Sequence, residues 1–248
     1  MSTKIMYDLI SEFKCTVCYD YMKPPILMCF TGHSCCNSCF RRMNQCPECR
    51  GKKSNFRNLN LERIYYILVF PCRNAEYGCA FTAKGTEMMT HEDKCIYSYL
   101  PCPFAKYGCT WSGVYKSMED HLKEAHDCSN DAPDICDLEG FDEGADCWRQ
   151  ALNFDGHLFI LCVIKEGESF WFGVYSIIDT DQEYDYEMTF VDLGRNRTAR
   201  FNGTCTTHKE YATEEYNRHN IQRAPGMLVE SFRQSDLVQY KVEIFRKS

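Results

Sequence analysis

The sequence has no apolar run long enough to form a signal peptide or to cross a membrane. Its N-terminus, MSTKIMYDLISEFKC, mixes charged and apolar residues, and its longest apolar stretches, IYYILVF and LFILCVI, are too short to span a bilayer. In the second half of the chain, no catalytic pair of carboxylates, Ser–His–Asp constellation or glycine-rich phosphate loop stands out. These absences predict an intracellular protein with no membrane partner, whose C-terminal half binds rather than catalyses.

Cysteine, by contrast, is abundant, with 18 residues in a chain of 248. Fourteen of the 18 lie between residues 15 and 128, where apolar periodicity is weak. In a reducing compartment, clustered cysteines are metal ligands more often than they are disulfides. We therefore expect metal ions to take the place of a large hydrophobic core in this half of the chain.

The first cysteine cluster supplies eight regularly spaced ligands. They are Cys15, Cys18, Cys29, His33, Cys36, Cys39, Cys46 and Cys49. A gap of two residues lets a tight turn place two thiolates on one ion, about 2.3 Å from each sulfur, and eight ligands make two tetrahedral sites. Cys35 is the alternative to Cys36, but only Cys36 leaves two residues before Cys39. The spacing therefore predicts Cys36 as the ligand and Cys35 as a packing residue or a bystander thiol.

The order of these eight ligands over residues 12–57 resembles that of the RING finger. The resemblance implies a cross-brace, in which Cys15, Cys18, Cys36 and Cys39 hold one zinc ion and the other four ligands hold the second. Each site would be closed by four protein ligands, so the zinc ions would be structural.

The RING resemblance also implies a docking surface for a ubiquitin-conjugating enzyme. The positions that match the family's contacts are Val17, Ile26, Leu27 and Pro47. Arg50, directly after the last ligand, matches the arginine with which many RING ligases hold a charged conjugating enzyme to its ubiquitin. A guanidinium suits that role because its forked donors bridge two carbonyl acceptors.

A second ligand pattern is repeated along the chain. The frame P-C-x4-Y-G-C begins at Pro71 and again at Pro101. In each unit, eleven residues separate the end of the frame from a histidine. The first unit supplies Cys72, Cys79, His91 and Cys95, and the second supplies Cys102, Cys109, His121 and His126. Cys128 is the alternative fourth ligand of the second unit, but the gap from His121 to His126 is closer to one helical turn. We predict tandem zinc fingers over residues 68–128, bringing the total to four structural zinc ions.

DNA-binding fingers are the alternative interpretation of this repeat. Their first two cysteines are usually two to four residues apart, whereas six residues separate Cys72 from Cys79. The formal net charge of the chain is −7, and an acidic chain is a poor default partner for a phosphate backbone. We predict no nucleic-acid partner.

Beyond the fingers the sequence changes to a linker and then to short strands. Residues 127–146 carry eight acidic and no basic side chains, and residues 129–147 are predicted as an acidic linker. Strands are predicted for GHLFILCVIKEG, ESFWFGVYSIID, YDYEMTFVDLG, RTARFNGTC, GMLVESF and VQYKVEIFR, which are rich in β-branched and aromatic residues. Such strands without long intervening helices favour an antiparallel sandwich over residues 148–248.

A RING, a double finger of the C-x6-C type and a sandwich together resemble the seven-in-absentia (SINA/Siah) family of ubiquitin ligases. The resemblance covers about residues 12–246 and is carried by the zinc frame, YDYMKPPIL and GH. It implies an α+β multi-domain fold whose TRAF-like sandwich forms a homodimer and binds protein substrates along a sheet edge. Trp148 would form the aromatic wall of that groove, and an ordinary core tryptophan is the alternative.

The resemblance therefore predicts a RING-type E3 ubiquitin ligase that promotes ubiquitin transfer to substrate lysines and proteasomal degradation. Its partners would be a ubiquitin-conjugating enzyme, ubiquitin and protein substrates. We expect a cytoplasmic location, with the nucleus left open. A non-catalytic, zinc-dependent adaptor is the alternative, and Arg50 and the intact set of eight ligands argue against it.

Overall fold

The computed structural model describes residues 3–126, 128–130, 135–141, 143–207 and 221–247. Its internal contacts divide the chain into two units, Met1–Ser98 and Tyr99–Ser248. The first finger thus belongs to the same unit as the N-terminal module, and the second finger to the same unit as the strands. Within the described ranges, no helix combines the length and the apolar character that crossing a bilayer requires.

The N-terminal module is a small three-stranded sheet with short helices around it. Its elements are α1 (Thr3–Ser11), β1 (Ile26–Cys29), β2 (Ser34–Cys36), α2 (Asn37–Arg42), β3 (Lys53–Arg57) and α3 (Leu59–Tyr65). The sheet order is β2-β1-β3. Asn58 caps α3 by accepting a hydrogen bond from the Leu61 N–H at 3.1 Å. The apolar core of the module is small, so bound metal is expected to contribute to fixing the chain.

Each finger consists of a hairpin followed by a helix. The first has β4 (Val69–Pro71), β5 (Thr82–Lys84) and α4 (Gly85–Asp93), and the second has β6 (Tyr99–Pro101), β7 (Ser112–Val114) and α5 (Met118–Ala125). The repeated Tyr-Gly step has a conformational cause, since Gly78 and Gly108 have φ of 105° and 94° and end a short 3₁₀ turn. A residue with a Cβ is disfavoured at that left-handed position.

The finger helices are shorter than the sequence suggests. The stretches around each histidine, TEMMTHEDK and KSMEDHLKEAH, favour helix, which would put the histidine and the last ligand one helical turn apart on one face. His91 and His121 lie inside α4 and α5, but Cys95 and His126 lie beyond the helix ends. His126 has φ of −141° and ψ of 22°, so the chain leaves the helix as it delivers its last ligand.

The remaining residues form two sheets. The strands are β8 (Ser129–Asn130), β9 (Cys136–Leu138), β10 (Cys147–Phe154), β11 (His157–Glu166), β12 (Ser169–Ser176), β13 (Tyr184–Asp192), β14 (Arg197–Thr204), β15 (Thr206–Thr207), β16 (Gln222–Pro225), β17 (Arg233–Gln234) and β18 (Leu237–Arg246), with α6 (Gly226–Glu230) before β17. One sheet has the order β15-β12-β11-β10-β8, with β16 also on β12. The other has the order β14-β13-β18-β17, with β9 also on β18. The long pairings are antiparallel, whereas the two-residue strands β8 and β15 pair in parallel.

A shared core joins the two sheets into a sandwich. Phe159 and Phe172 from the first sheet and Tyr186 and Phe190 from the second are fully buried in one cluster. Residues alternate along each strand, so every second side chain enters this cluster. The predicted fold class, zinc-binding modules followed by an antiparallel sandwich, is confirmed.

The strand prediction was wrong in several details. GMLVESF contains α6 instead of a strand, because Pro225 fixes the φ angle at its start and its buried residues, Gly226 and Val229, follow helical spacing. The strand β10 was missed, since its polar residues obscure the alternation. The stretch taken as a linker also pairs with both sheets through β8 and β9, because Leu138 is apolar and enters the core.

The second finger packs on the outer face of the first sheet. Met118 and Leu122 of α5 are fully buried in a cluster with Ala151, Leu158 and Ile160 of β10 and β11. Hydrogen bonds support this packing, since the Leu158 N–H donates to the Tyr115 hydroxyl at 3.1 Å. This finger is therefore built into the sandwich unit.

Candidate zinc centres

The sixteen predicted ligands lie in four groups of four. Within each group the ligand atoms all lie within 4.8 Å of one another. The groups are Cys15/Cys18/Cys36/Cys39, Cys29/His33/Cys46/Cys49, Cys72/Cys79/His91/Cys95 and Cys102/Cys109/His121/His126. These are the same four sets that the spacing and the RING resemblance predict.

The distances within the groups fit zinc. A tetrahedral ion with Zn–S bonds of about 2.3 Å separates its sulfur ligands by about 3.8 Å. The Sγ atoms of Cys18 and Cys36 are 3.9 Å apart, and those of Cys72 and Cys95 are 3.8 Å apart. Thiolate and imidazole donors are those that zinc prefers in structural sites. The donor sets therefore suit zinc ions without rearrangement.

The mixed sulfur–nitrogen distances agree as well. Zn–N bonds of about 2.0–2.1 Å place a sulfur and a nitrogen ligand about 3.5 Å apart in the same geometry. The Sγ of Cys29 lies 3.6 Å from His33 Nδ1, and the Sγ of Cys109 lies 3.5 Å from His121 Nε2. Zinc as the cofactor, predicted from the sequence, is confirmed by these clusters together with the family comparisons given below.

The first two groups are interleaved along the chain. The group that begins with Cys15 and Cys18 is completed by Cys36 and Cys39, which lie after the first ligands of the other group. Each ion would tie together segments that are distant in sequence, and its binding free energy would be folding free energy, of order 10 kcal/mol per site. With four protein ligands at each site, no position is left for a reacting water.

The structure distinguishes Cys36 from Cys35. Cys36 belongs to the first ligand group, while Cys35 points into the apolar core of the module and is only 3% exposed. Burial raises the pKa of the Cys35 thiol, which favours its protonated form. Its Sγ still lies 3.3 Å from the Sγ of Cys15. Cys35 is thus a packing residue directly behind a ligand.

The fourth ligand of the second finger is resolved in the same way. The Nε2 of His126 lies 3.4 Å from the Sγ of Cys102. Cys128 packs against the apolar cluster around Leu122, and burial raises the pKa of its thiol. The structure places His126, and not Cys128, among the ligands.

Aromatic rings stack on the histidine ligands of the two fingers, a feature that was not predicted from the sequence. Phe81 stacks on His91 with ring centroids 4.0 Å apart, and Trp111 stacks on His121 at 4.4 Å. Phe81 and Trp111 occupy the same position of the repeat, two residues after the second cysteine. Such a partner fixes the orientation of a ligand ring. The recurrence of an aromatic residue at this position was the signal that could have revealed it.

The predicted contact residues for a conjugating enzyme differ in exposure. The side chain of Val17 is 41% exposed, that of Pro47 is exposed and that of Leu27 is partly exposed. Arg50 is exposed and has a left-handed φ of 56° directly after the last ligand. Ile26 is fully buried in the core of the module. Leu27, the next residue, also packs against this core but keeps part of its side chain exposed, whereas the Ile26 side chain has no surface to offer a partner.

A buried carboxylate fixes the start of β1. Glu62 of α3 accepts the Ile26 N–H at 2.8 Å and pairs with Arg57, whose Nη2 lies 2.5 Å from Oε2. The hydrogen bond from Arg57 lowers the pKa of Glu62, which keeps the carboxylate ionised. No motif marks this residue in the sequence, since it is a single glutamate in a helix.

Trp148 is half-buried at the edge of the sandwich core. Its indole ring stacks on Phe141 at 4.9 Å, and its Nε1 donates to the Glu139 carbonyl at 2.7 Å. Arg149 points to the opposite face of β10, where its guanidinium lies over the ring of Tyr107. Arg149 therefore does not form part of the surface around Trp148.

Comparison with known families supports the modular interpretation. Residues 15–49 match the family described as "E3 ubiquitin-protein ligase sina/sinah, RING finger". Residues 63–134 match the family described as "Sina, zinc finger". The matched segments contain all sixteen ligands.

Curated relatives extend the similarity into the sandwich. The chain is 34% identical over 206 residues to the E3 ubiquitin-protein ligase SIAH2 of Homo sapiens, covering 77% of this chain and 62% of that protein. It is 33% identical over 204 residues to the E3 ubiquitin-protein ligase sina of Drosophila melanogaster, covering 77% and 63%. The chain thus spans less than two thirds of the length of either relative.

Proposed function

Given that the chain is a relative of the sina and SIAH proteins and carries their RING and zinc finger, we propose that it acts as a RING-type E3 ubiquitin ligase. In this proposal the RING recruits a ubiquitin-loaded conjugating enzyme, and the sandwich recruits a protein substrate. Modification of substrate lysines would then direct the substrate to the proteasome. The observation that carries the proposal is the pair of interleaved, closed zinc groups followed directly by an exposed arginine.

The chemistry proposed for the RING is orientation. A substrate lysine amine attacks the thioester carbonyl of ubiquitin, an isopeptide bond forms, and the cysteine of the conjugating enzyme leaves as a thiol. The zinc ions, held by the first eight ligands, supply rigidity only, because no ligand position is open. The RING would accelerate the attack by restricting the thioester to a reactive conformation.

Exposed residues beside the zinc groups support this role. Val17, Leu27 and Pro47 offer apolar surface to a partner. Ile26 is instead buried in the core, where it supports β1. The exposed guanidinium of Arg50 can donate to two carbonyl groups at once. In the proposal it bridges the conjugating enzyme and ubiquitin, so no residue of this chain forms a covalent bond.

The sandwich is proposed to bind substrate and a second copy of the chain. Support comes from the relationship to the sina proteins and from the half-buried Trp148, whose indole stacks on the buried Phe141. A homodimer would appear as a doubled mass in size-exclusion chromatography with light scattering. A cytoplasmic location, with the nucleus left open, is likewise proposed, and microscopy of the tagged chain tests it.

An autoubiquitylation assay tests the proposed activity. Zinc-loaded full chain is combined with activating enzyme, ubiquitin and a panel of conjugating enzymes. We expect ubiquitin chains with at least one conjugating enzyme, and none after the first zinc group is removed by Cys36→Ala. Absence of ubiquitin chains with every conjugating enzyme would leave the adaptor as the function.

A further inference from the structure

One acidic residue of the first finger is buried against the N-terminal module. Glu92 follows the ligand His91 in α4 and is only 5% exposed. Its carboxylate pairs with the Lys23 ammonium. It also accepts the Arg73 N–H at 3.1 Å and lies 3.2 Å from Arg73 Nε. A buried carboxylate is costly unless it is paired in this way.

The packing of α4 explains why Glu92 is held there. At the first residue of the helix, a Cβ on Gly85 would lie 2.4 Å from the ring of Tyr65, so the absence of a side chain permits this close approach. At the other end of the helix, Glu92 meets Lys23. The first finger helix therefore contacts the N-terminal module, within one unit, at both of its ends.

The second finger uses the same repeat position differently. Thirty residues separate Glu92 from Leu122, the same interval as between His91 and His121. Leu122 is fully buried against the sandwich, whereas Glu92 forms ion pairs with Lys23 and Arg73. The two fingers thus share a zinc frame but present different chemistry at the position that faces their neighbours.

Lys23 begins the segment that leads into β1. Three residues later, the Ile26 N–H donates to Glu62 at 2.8 Å, and the Ile26 carbonyl accepts the Asn58 N–H at 2.8 Å. Leu27, the next residue, is partly exposed in the strand. The segment is therefore anchored by Glu92 of the finger at its start and by Glu62 at Ile26.

We propose that Glu92 is a positioning residue through which the first zinc finger holds the conjugating-enzyme surface of the RING in place. The inference rests on the proposed ligase function. Glu92 of the finger helix holds the Lys23 side chain, and Lys23 holds the start of the segment. The backbone at Leu27 is thereby kept in one conformation, which fixes the position of the Leu27 side chain. The first finger is then part of the machinery that binds the conjugating enzyme, although none of its residues touches ubiquitin or the thioester.

Two measurements on the zinc-loaded full chain test this role. The first is hydrogen–deuterium exchange in peptides covering residues 23–29, and the second is single-turnover discharge of a ubiquitin-loaded conjugating enzyme to free lysine. Glu92→Gln keeps the shape but removes the charge. We expect faster exchange in the segment and discharge about fivefold to tenfold slower, with four bound zinc ions, because displacement of a positioning group reduces the rate.

Variants of the partner separate positioning from loss of fold. Lys23→Met should reproduce the effect of Glu92→Gln, and Lys23→Arg should retain the wild-type rate because it keeps the charge. The double variant Lys23→Met/Glu92→Gln should be no slower than either single variant, since the pair acts as one unit. Glu119→Gln is the control, because Glu119 pairs with Lys123 at 2.5 Å and accepts a hydrogen bond from Asn153 at 2.6 Å in the second unit, so its replacement should leave both readouts unchanged.

The outcomes separate this inference from the ligase proposal. If the wild-type chain discharges no conjugating enzyme, the proposed function fails. Unchanged exchange in Glu92→Gln would in addition show that Glu92 does not restrain residues 23–29. If the wild type is active but Glu92→Gln matches it in both readouts, the ligase proposal stands and the inference is wrong. If Glu92→Gln loses zinc, Lys23→Met becomes the test variant. An unchanged discharge rate in Lys23→Met would overturn the inference.

Discussion

Neighbouring residues in the N-terminal module have opposite roles that follow from the direction of their side chains. Cys35 enters the core and Cys36 joins a zinc group, while Ile26 is fully buried and Leu27 stays partly exposed. Both pairs lie on strands, where successive side chains point to opposite faces. At this scale, chemical type alone does not define function, since a thiol one position away from a ligand is only packing.

Replacement of the two adjacent cysteines tests their assignment. Cys35→Ala should retain four zinc ions per chain, because its buried thiol contributes packing only. Cys36→Ala should lose one ion and unfold residues around the first group, because three ligands no longer close the site. Native mass spectrometry counts the ions. The reverse pattern would show that the ligand register is wrong.

Arg50 allows a test of the proposed transfer role without loss of fold. Its side chain is exposed, so Arg50→Ala should keep the zinc content while slowing discharge of the loaded conjugating enzyme by about tenfold or more. Arg50→Lys should restore only part of the rate, because lysine keeps the charge but lacks the fork. A wild-type rate in the alanine variant would remove Arg50 from the mechanism.

At the scale of elements, ligand spacing was the most informative feature of the sequence. The two-residue gaps between paired cysteines, the interval from Cys79 to His91 and the Tyr-Gly turns depend on local geometry. They could therefore be predicted without a structure. The burial of Glu92, the support from Glu62 and the strand β10 could not be predicted. Each depends on residues far apart in the chain, and no local period marks such contacts.

The packing of α5 on the sandwich yields a prediction about stability. Leu122 is fully buried between the helix and β10 and β11. Leu122→Ala should destabilise the second unit by about 2–5 kcal/mol, because it removes buried methyl groups and leaves a cavity. Thermal denaturation should show a lower midpoint while four zinc ions remain bound. Leu193→Ala, at a 62% exposed position, is the control and should melt like the wild type.

The whole molecule combines two ways of stabilising a fold. The N-terminal module and the first finger have small apolar clusters beside three zinc groups, whereas the sandwich has a large core of its own. The cysteine distribution anticipated this contrast, with fourteen thiols before residue 129. The allocation of one finger to each unit was not visible in the repeat, because the shared frame specifies the metal site and not its neighbours.

Native mass spectrometry of the zinc-loaded full chain tests the central claim, four closed zinc sites that build the protein's surface. We expect four zinc ions per folded chain and, after exhaustive chelation, loss of all four ions together with a shift of the chain to the higher charge states of a partly unfolded protein. Fewer than four ions on the folded protein, or an unchanged compact species after complete chelation, would contradict it.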